Sequence, residues 1–332
     1  MTLSRRTVLK GVATAGLGAV SVPSGLAWLD KERAPGAQAT GKIRVGWMKL
    51  GCISPYFIAA GNGYWESRGL KVEHYEFKAG PPMLEAFAGG RLDAGYLGNT
   101  VVTAAVSRGL PLRMVCGNHL SGMGVVAQPG NATIKDLRGK RIGNAPPGAI
   151  SDIELRMTLV AAGIDPKKDV SLVTMGYDDM GVAMLSKAVD AIASCESYPS
   201  YVLQKLPGSK LVAAQIDDNF WPGKVGQCCV LTVNAQYADK EKDAIKALVA
   251  GQLEAIKFIN GNRRKAAEII AKALNTTAEA EEIALSHEVV QAEMTVKSIQ
   301  QHADAMVELG VLRQVPDMAQ HIDNEFWRSL KV

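Results

Sequence analysis

The sequence predicts an α/β protein of two similar halves, each a short, mostly parallel sheet covered by helices. Three observations predict it. Apolar strands alternate with helical patterns. One strand–helix–strand unit occurs twice. Beyond the N-terminal stretch, no apolar run reaches the length of a membrane span.

Residues 1–39 stand apart from the fold. Met1–Lys10 (MTLSRRTVLK) is basic, and Gly11–Leu29 then carries no charge before Asp30, the pattern of a secretory signal. Arg5-Arg6, within Ser-Arg-Arg-Thr-Val-Leu-Lys, resembles the twin-arginine export motif. Gly11, Gly16, Gly18, Gly25 and Pro23 make the stretch a poor membrane anchor. Ala37-Gln38-Ala39 offers a small-x-small cleavage site, so the mature chain is expected to start at Thr40, in the periplasm. No cysteine precedes Cys52, which excludes a lipid-anchored cysteine at the processing site.

The signal also carries the basic balance. The chain's formal charge is +4, and cleavage removes five cations and two anions, leaving about +1. A nearly neutral surface without like-charge runs argues against nucleic acid or an anionic membrane as partner. Cys52, Cys116, Cys195, Cys228 and Cys229 form no CxxC, CxxCH or Cys-His cluster at metal spacing, so no metal or cofactor is expected. Cys228-Cys229 lies in a strand-like run that should point the two thiols to opposite faces.

In the first half, Lys42–Trp47 reads as a strand. Ser54-Pro55 opens a helix that Ala59–Gly63 closes. Strand Val72–Phe77, helix Pro82–Ala88, strand Leu92–Leu97, helix Asn99–Ser107 and strand Leu112–Gly117 follow. Then the pattern restarts. Gly41-Lys-Ile-Arg-Val-Gly46 resembles Gly139-Lys-Arg-Ile-Gly143, and the spacing from Gly46 to Asp93 equals that from Gly143 to Asp190, 47 positions. This register lays Gly98-Asn99-Thr100 on Cys195-Glu196-Ser197.

Two such halves imply a cleft, and in open parallel sheets ligands sit at the strand carboxyl ends. Those ends are Lys49–Ser54, Lys78–Pro82, Gly98–Thr100 and Gly117–Ser121, then Asn144–Ser151, Met175–Asp178 and Cys195–Pro199. Several lead into helix N-termini, where N–H groups and the dipole favour an anion; Ser54, Thr100 and Ser151 are the hydroxyls placed to join them. Tyr56, Tyr96, Tyr198, Phe220 and Trp221 could supply apolar walls, and His119 could face the cleft. No arginine falls in these rim segments.

The strings VGWMKLGCISPYFIAAGNGYWESRGLKVE, FKAGPPMLEAFAGGRLDAGYLGNT, DLRGKRIG and VDAIASCESYPSYV resemble the solute-binding proteins of ABC importers for nitrate, sulfonates and taurine. The likeness is spread over residues 41–332. It implies a periplasmic-binding-protein fold of the second type, with lobe 1 at 40–125 plus 230–332, lobe 2 at 126–229, and crossings at Gly124–Gln128 and Gly226–Leu231. The helical part after Asp239 would pack on lobe 1. Carried over by position, ligand contacts fall to Lys49, Gly51, Cys52, Ser54, Gly98, Asn99, Thr100, Ser121, Gly148, Ala149, Ser151, Glu196 and Tyr198, to which the apolar-wall candidates Tyr56 and Trp221 are added, Trp221 being either a pocket contact or surface packing. Family members often read aromatic-acid-proline where this chain has Cys195-Glu196-Ser197-Tyr198-Pro199, and a cleft-facing Glu196 would suit an amine or amide donor.

The resemblance implies a monomer that captures a small solute and closes on it, then delivers it to a permease and its ATPase. The competing classes are an exported enzyme and a ligand-sensing module. No nucleophile elbow, HExxH or telling carboxylate pair supports the enzyme, and Asp178-Asp179 and Asp217-Asp218 read as loop acids.

Overall fold

β1 (Gly41–Met48) buries nearly every side chain after Lys42, because both of its faces are covered and both of its edges are paired. The computed structural model describes residues 41–217, 220–221 and 226–330. The expected export signal and its cleavage site lie outside them.

From β1 the chain enters α1 (Ser54–Asn62), which Gly63 ends in the left-handed conformation at φ 70°. The helix begins one residue earlier than a Ser54 cap would require: Ile53 occupies the cap position and Pro55 sits in the first turn. Next come β2 (Leu70–Phe77), α2 (Gly80–Ala88), β3 (Ala94–Gly98), α3 (Asn99–Val106) and β4 (Leu112–Gly117). After them, β5 (His119–Ser121) leads into β6 (Met123–Ala127).

The second unit contains β7 (Arg141–Asn144), α4 (Ile150–Ala161), β8 (Ser171–Thr174), α5 (Tyr177–Leu185) and β9 (Ala191–Cys195), then α6 (Tyr198–Lys205) and β10 (Lys210–Ala214). The return runs through β11 (Cys229–Asn234), α7 (Ala235–Lys240), α8 (Lys242–Gly261), α9 (Arg263–Leu274) and α10 (Ala278–Ser286). β12 (Glu288–Val290), α11 (Val296–Glu308) and α12 (Glu325–Arg328) complete it.

The strand orders are β2-β1-β3-β11-β4 and β10-β6-β9-β7-β8. In each sheet three parallel strands are joined by an antiparallel one that arrives from the other part of the chain: β11 beside β3, and β6 beside β9. The strands β1 and β7 are equivalent, and so are β3 and β9. The repeat reaches single bonds. Arg44 donates N, Nε and NH2 to Asp93, and Arg141 donates the same three groups to Asp190. Each pair ties the start of one strand to the start of its parallel neighbour.

Three expectations are corrected. Gly124–Gln128 does not cross between the sheets, because residues 123–127 are an inner strand of the second one. The outward crossing is residues 118–122, held by β5 pairing with β12 and by a bridge from Leu120 to Gln227. Cys228 and Cys229 do not point apart: their sulfurs are 3.9 Å from each other, since Cys228 precedes β11 and strand alternation does not reach it. The C-terminal helices also spread beyond the first sheet. α8 packs on α1 and β1, whereas α10 lies on α6 and α11 lies against both α3 and α4.

Half of the described aromatic side chains are buried. Trp47 stacks on Tyr56 at 5.4 Å, and Tyr56 also meets Phe57, Trp65 and Tyr96 edge-on or tilted. All five rings are essentially inaccessible, and burying each contributes roughly 1.5–3 kcal/mol.

Candidate functional site

The carboxyl ends of the two sheets face one another across a cavity of about 160 Å³. From the first half, Met48 and Leu50 close one side, Gly80 and Pro81 open α2, and Gly98 precedes α3. From the second, residues 146–150 and Tyr177 stand opposite, while Cys195 and Cys229 form the floor. The segments named from the sequence therefore do meet here. Of the individual residues predicted, Gly98, Gly148 and Ala149 line this cavity.

Local bonds explain the rim. Asp152, buried in the first turn of α4, accepts from Gly148 N, Asn144 Nδ2 and Arg156 Nε at 2.7–2.9 Å, which holds the loop at 145–149 against its own helix. Ser151 supports the wall without forming it: its Oγ lies 3.1 Å from the Tyr177 hydroxyl. Tyr177 is then stacked at 6.5 Å on Tyr198.

Several predicted ligand residues instead join the halves directly. Thr100 Oγ1 donates to Gly148 O at 3.0 Å, and Cys52 N donates to Glu196 O at 3.1 Å. The Tyr198 hydroxyl is 2.9 Å from Lys49 O and 2.7 Å from Asp178 Oδ1. Lys78 Nζ reaches Asp178 Oδ2 at 2.7 Å. Gly51 lies so close to the opposite rim that a Cβ there would stand 2.7 Å from Ser197 N. These contacts describe a closed cleft.

Others turn away from the cavity. Tyr56 belongs to the aromatic core, with its hydroxyl 2.8 Å from His74 Nδ1. Tyr96, another expected wall, bonds Gln252, and Phe220 is core. Ser54 is fully buried, and among the described residues its hydroxyl has no hydrogen-bond partner. Asn99 donates to Gln227 O and Cys228 O, so it pins the return crossing. Ser121 sits inside the outward crossing at φ 67°. Trp221 packs with Ile153, Met306 and Leu312 and meets His302 edge-on at 5.3 Å. His302 is itself buried against Glu154 at 2.7 Å.

Glu196 is the clearest correction to the expected chemistry. Its carboxylate accepts from Ser200 N and Ser200 Oγ at the start of α6, and from His287 Nδ1 at 2.6 Å. That carboxylate is committed to a helix start and a histidine, so it offers nothing to an amine in the cleft. The hydrogen bond from His287 raises that ring's pKa above its ordinary value, working against partial burial. Ser197 Oγ, beside it, donates to Glu281, whose carboxyl is pushed up to about 7 by burial.

Among the described residues no aspartate or glutamate lines the cavity, and an arginine does: Arg108, exposed just past α3. The rim segments named from the sequence stopped at Thr100 and so missed it, although it lies two turns further along the same helix direction. The N-terminal ends of α3, α4 and α5 border the same space, each bringing a positive dipole end, although the first N–H of α3, Asn99 N, is bonded to Cys228 O. Prolines at 81 and 82 remove two such donors from α2.

The fold also gathers Cys52, His119, Cys228 and Cys229 behind the cavity floor. They come from three separate stretches, so no metal-type spacing exists in the sequence to reveal them.

The NMT1-like family profile matches residues 36–275 of the chain. A provisionally named binding protein of Brucella abortus (strain 2308) is 30% identical over 233 residues, 68% of this chain and 71% of that protein. A provisionally named aliphatic sulfonates-binding protein of Bacillus subtilis (strain 168) is 24% identical over 298 residues, 86% of each. The crystal structure of the periplasmic nitrate-binding protein NrtA from Synechocystis PCC 6803 superposes with a TM-score of 0.74 at 14% identity, covering 88% of each chain; this is a likeness of fold.

Proposed function

Because the chain belongs to the NMT1-like family and has the two-lobed fold of periplasmic binding proteins, we propose that it is the solute-capturing component of an ABC importer. On this reading it holds a small anion with a short apolar tail, such as a sulfonate, or nitrate itself, and hands it to a membrane permease and its ATPase. It does so as a periplasmic monomer exported by a twin-arginine signal, and it binds without chemical turnover.

One observation carries the reading. Three helix N-termini converge on a cavity whose walls hold no carboxylate and are otherwise mostly apolar. Glu196 is taken up by His287, Asp152 by Arg156 and Asp178 by Lys78, so each of these nearby carboxylates is already paired. Arg108 at the edge makes no ion pair among the described residues, which suits drawing an anion inward. The cavity is below the roughly 300–1,000 Å³ of pockets for drug-sized ligands, which favours a small guest.

The ligand set is accordingly centred on residues 48–50, 80–84, 98–101, 146–150 and Tyr177, with Lys49, Thr100 and Tyr198 closing the rim. The lobe division read from the sequence, 40–125 with 230–332 against 126–229, is kept with its first junction moved back to residues 118–122, which sheet membership supports.

Thermal denaturation with ethanesulfonate, taurine, nitrate, acetate, acetamide and uracil tests the reading. At a hundredfold excess over Kd a true ligand adds about 2.7 kcal/mol of stability. Stabilisation by the anions alone, weakened up to about fivefold in affinity by Arg108→Gln, is expected. Stabilisation by acetamide or uracil with none from any anion would overturn it.

A further inference from the structure

Three thiols and an imidazole meet where the two crossings pass behind the cavity. Cys52 comes from the turn after β1, His119 from the outward crossing, and Cys228 and Cys229 from the return. One donor atom of each lies within 4.8 Å of all the others, and all four residues are buried. The Cys52 and Cys229 sulfurs are 3.1 Å apart, and those of Cys228 and Cys229 are 3.9 Å apart. A tetrahedral ion with bonds of about 2.3 Å to sulfur sets its sulfurs roughly 3.8 Å apart, so shifts of about an ångström bring the four donors onto one centre.

His119 supplies a second, independent observation. Its ring is wholly inaccessible, yet among the described residues neither nitrogen has a hydrogen-bond partner. Leaving a buried polar group unpaired costs on the order of 1–3 kcal/mol, and an ion at the centre of the cluster removes that cost. Glu288 stands beside it with both carboxylate oxygens buried and without a hydrogen-bond partner among the described residues, Oε1 lying 3.9 Å from His119 Nδ1. It is held there by the pairing of β12 with β5. A carboxylate in that place can take the proton of the ring nitrogen that a metal leaves free, fixing the tautomer and orientation of the ligand.

We propose that Cys52, His119, Cys228 and Cys229 bind one thiophilic cation, zinc(II) being the ion whose closed four-coordinate preference this donor set fits, and that Glu288 positions His119. Binding displaces one proton from each thiol, so uptake releases protons to the buffer. The ion ties the first lobe to both crossings, just beneath the floor that Cys229 shares with the solute cavity. The proposal does not rest on the solute reading: the metal site and the anion cavity have different residues, Cys229 excepted.

The test takes the exported chain, purified without oxygen under reductant, loads it with zinc and desalts it. One retained zinc per chain is expected, with proton release on titration. Cobalt(II) should give thiolate-to-metal charge transfer and the strong visible bands of a tetrahedral site, a readout that needs no variant. Cys228→Ser combined with Cys229→Ser should abolish retention, and Glu288→Gln should weaken it about 10–100-fold. Cys116→Ser, a buried thiol outside the cluster, should leave it unchanged. No retained metal, a weak octahedral cobalt spectrum, or a Cys52–Cys229 disulfide in the zinc-treated protein would overturn the proposal.

Discussion

The two halves of the chain are built alike at one end of their sheets and differently at the other. At the amino ends, Arg44–Asp93 and Arg141–Asp190 make the same three bonds, and each guanidinium also reaches a carbonyl at matching separation, Gly90 in one half and Lys187 in the other. At the carboxyl ends the equivalent turns have diverged. Asn99 and Thr100 bond to the return crossing and to Gly148, whereas Glu196 and Ser197 bond to His287 and Glu281 in the C-terminal segment. The shared end fastens strands, and the divergent end makes the cleft, so the two ends should answer differently to mutation.

Closure at the divergent end offers the largest expected effect. Gly51 meets the Ser197 backbone so closely that Gly51→Ala cannot keep both lobes where they stand. Calorimetry with the tightest-binding anion should show a loss of about a hundredfold, near 2.7 kcal/mol, while Tm without ligand changes little. An unchanged Kd would separate binding from this contact. It would place the difference between the halves somewhere other than closure.

The fastened ends are alike in pattern but not in environment, and stability should report that. The Asp93 side chain is 7% exposed and that of Asp190 is 30% exposed. Asp93→Ala leaves part of Arg44 unpaired in a mostly buried place and should cost about 2–3 kcal/mol. Asp190→Ala, better solvated, should cost about 1 kcal/mol or less. Urea denaturation measures both. Equal losses would mean that the equivalence of the halves extends to their energetics.

This contrast also decides what was legible in the sequence. The repeat could be read because Asp93 and Asp190 serve the fastening ends, where one geometry has to be met twice, and Gly46 and Gly143 each follow the fastened arginine by two residues. The strand-end segments could be read because parallel sheets expose them on one side. Which side chain in each segment faces the guest could not. That choice depends on partners far away in the chain: His287 draws Glu196 aside, Tyr177 takes the Ser151 hydroxyl, and the return crossing claims Asn99. The thiol cluster was illegible for the same reason, since Cys52, His119 and Cys228-Cys229 are adjacent only in space. Cys228-Cys229 also misled locally, because alternation was assumed one residue before the strand begins.

The second half's link to the C-terminal segment should make the protein less stable as pH rises. His287, raised by its bond to Glu196, contributes stability that is full below its unfolded pKa and fades as pH climbs through the folded value. Glu281, pushed up to about 7 by burial, acts in the same direction: the folded state holds a proton that the unfolded state has released. Glu281 should cost roughly 2 kcal/mol between pH 5 and 8, and His287 adds to the loss in the same direction. Glu281→Gln should flatten much of that slope in pH-dependent urea titrations. A slope unchanged in both Glu281→Gln and His287→Gln would detach this link from the turn that replaces Asn99-Thr100.

The smallest effect belongs to Lys78 and Asp178, a pair that spans the cleft at its exposed edge. Burial works to raise the Asp178 carboxyl, but the bonds from Lys78 and Tyr198 outweigh it and hold the pKa below the ordinary value. Such a group contributes fully above its unfolded pKa, and its contribution is lost as pH falls through the folded one, so at neutral pH the pair is intact. Lys78 is 75% exposed, which limits the pair to about 0.2–1 kcal/mol and makes it sensitive to salt. Lys78→Met should therefore weaken anion binding by at most about fivefold, and that difference should shrink in high salt. A salt-independent loss of tenfold or more would mean that Lys78 touches the guest. The rim of the first half would then be a binding surface as well as a clasp.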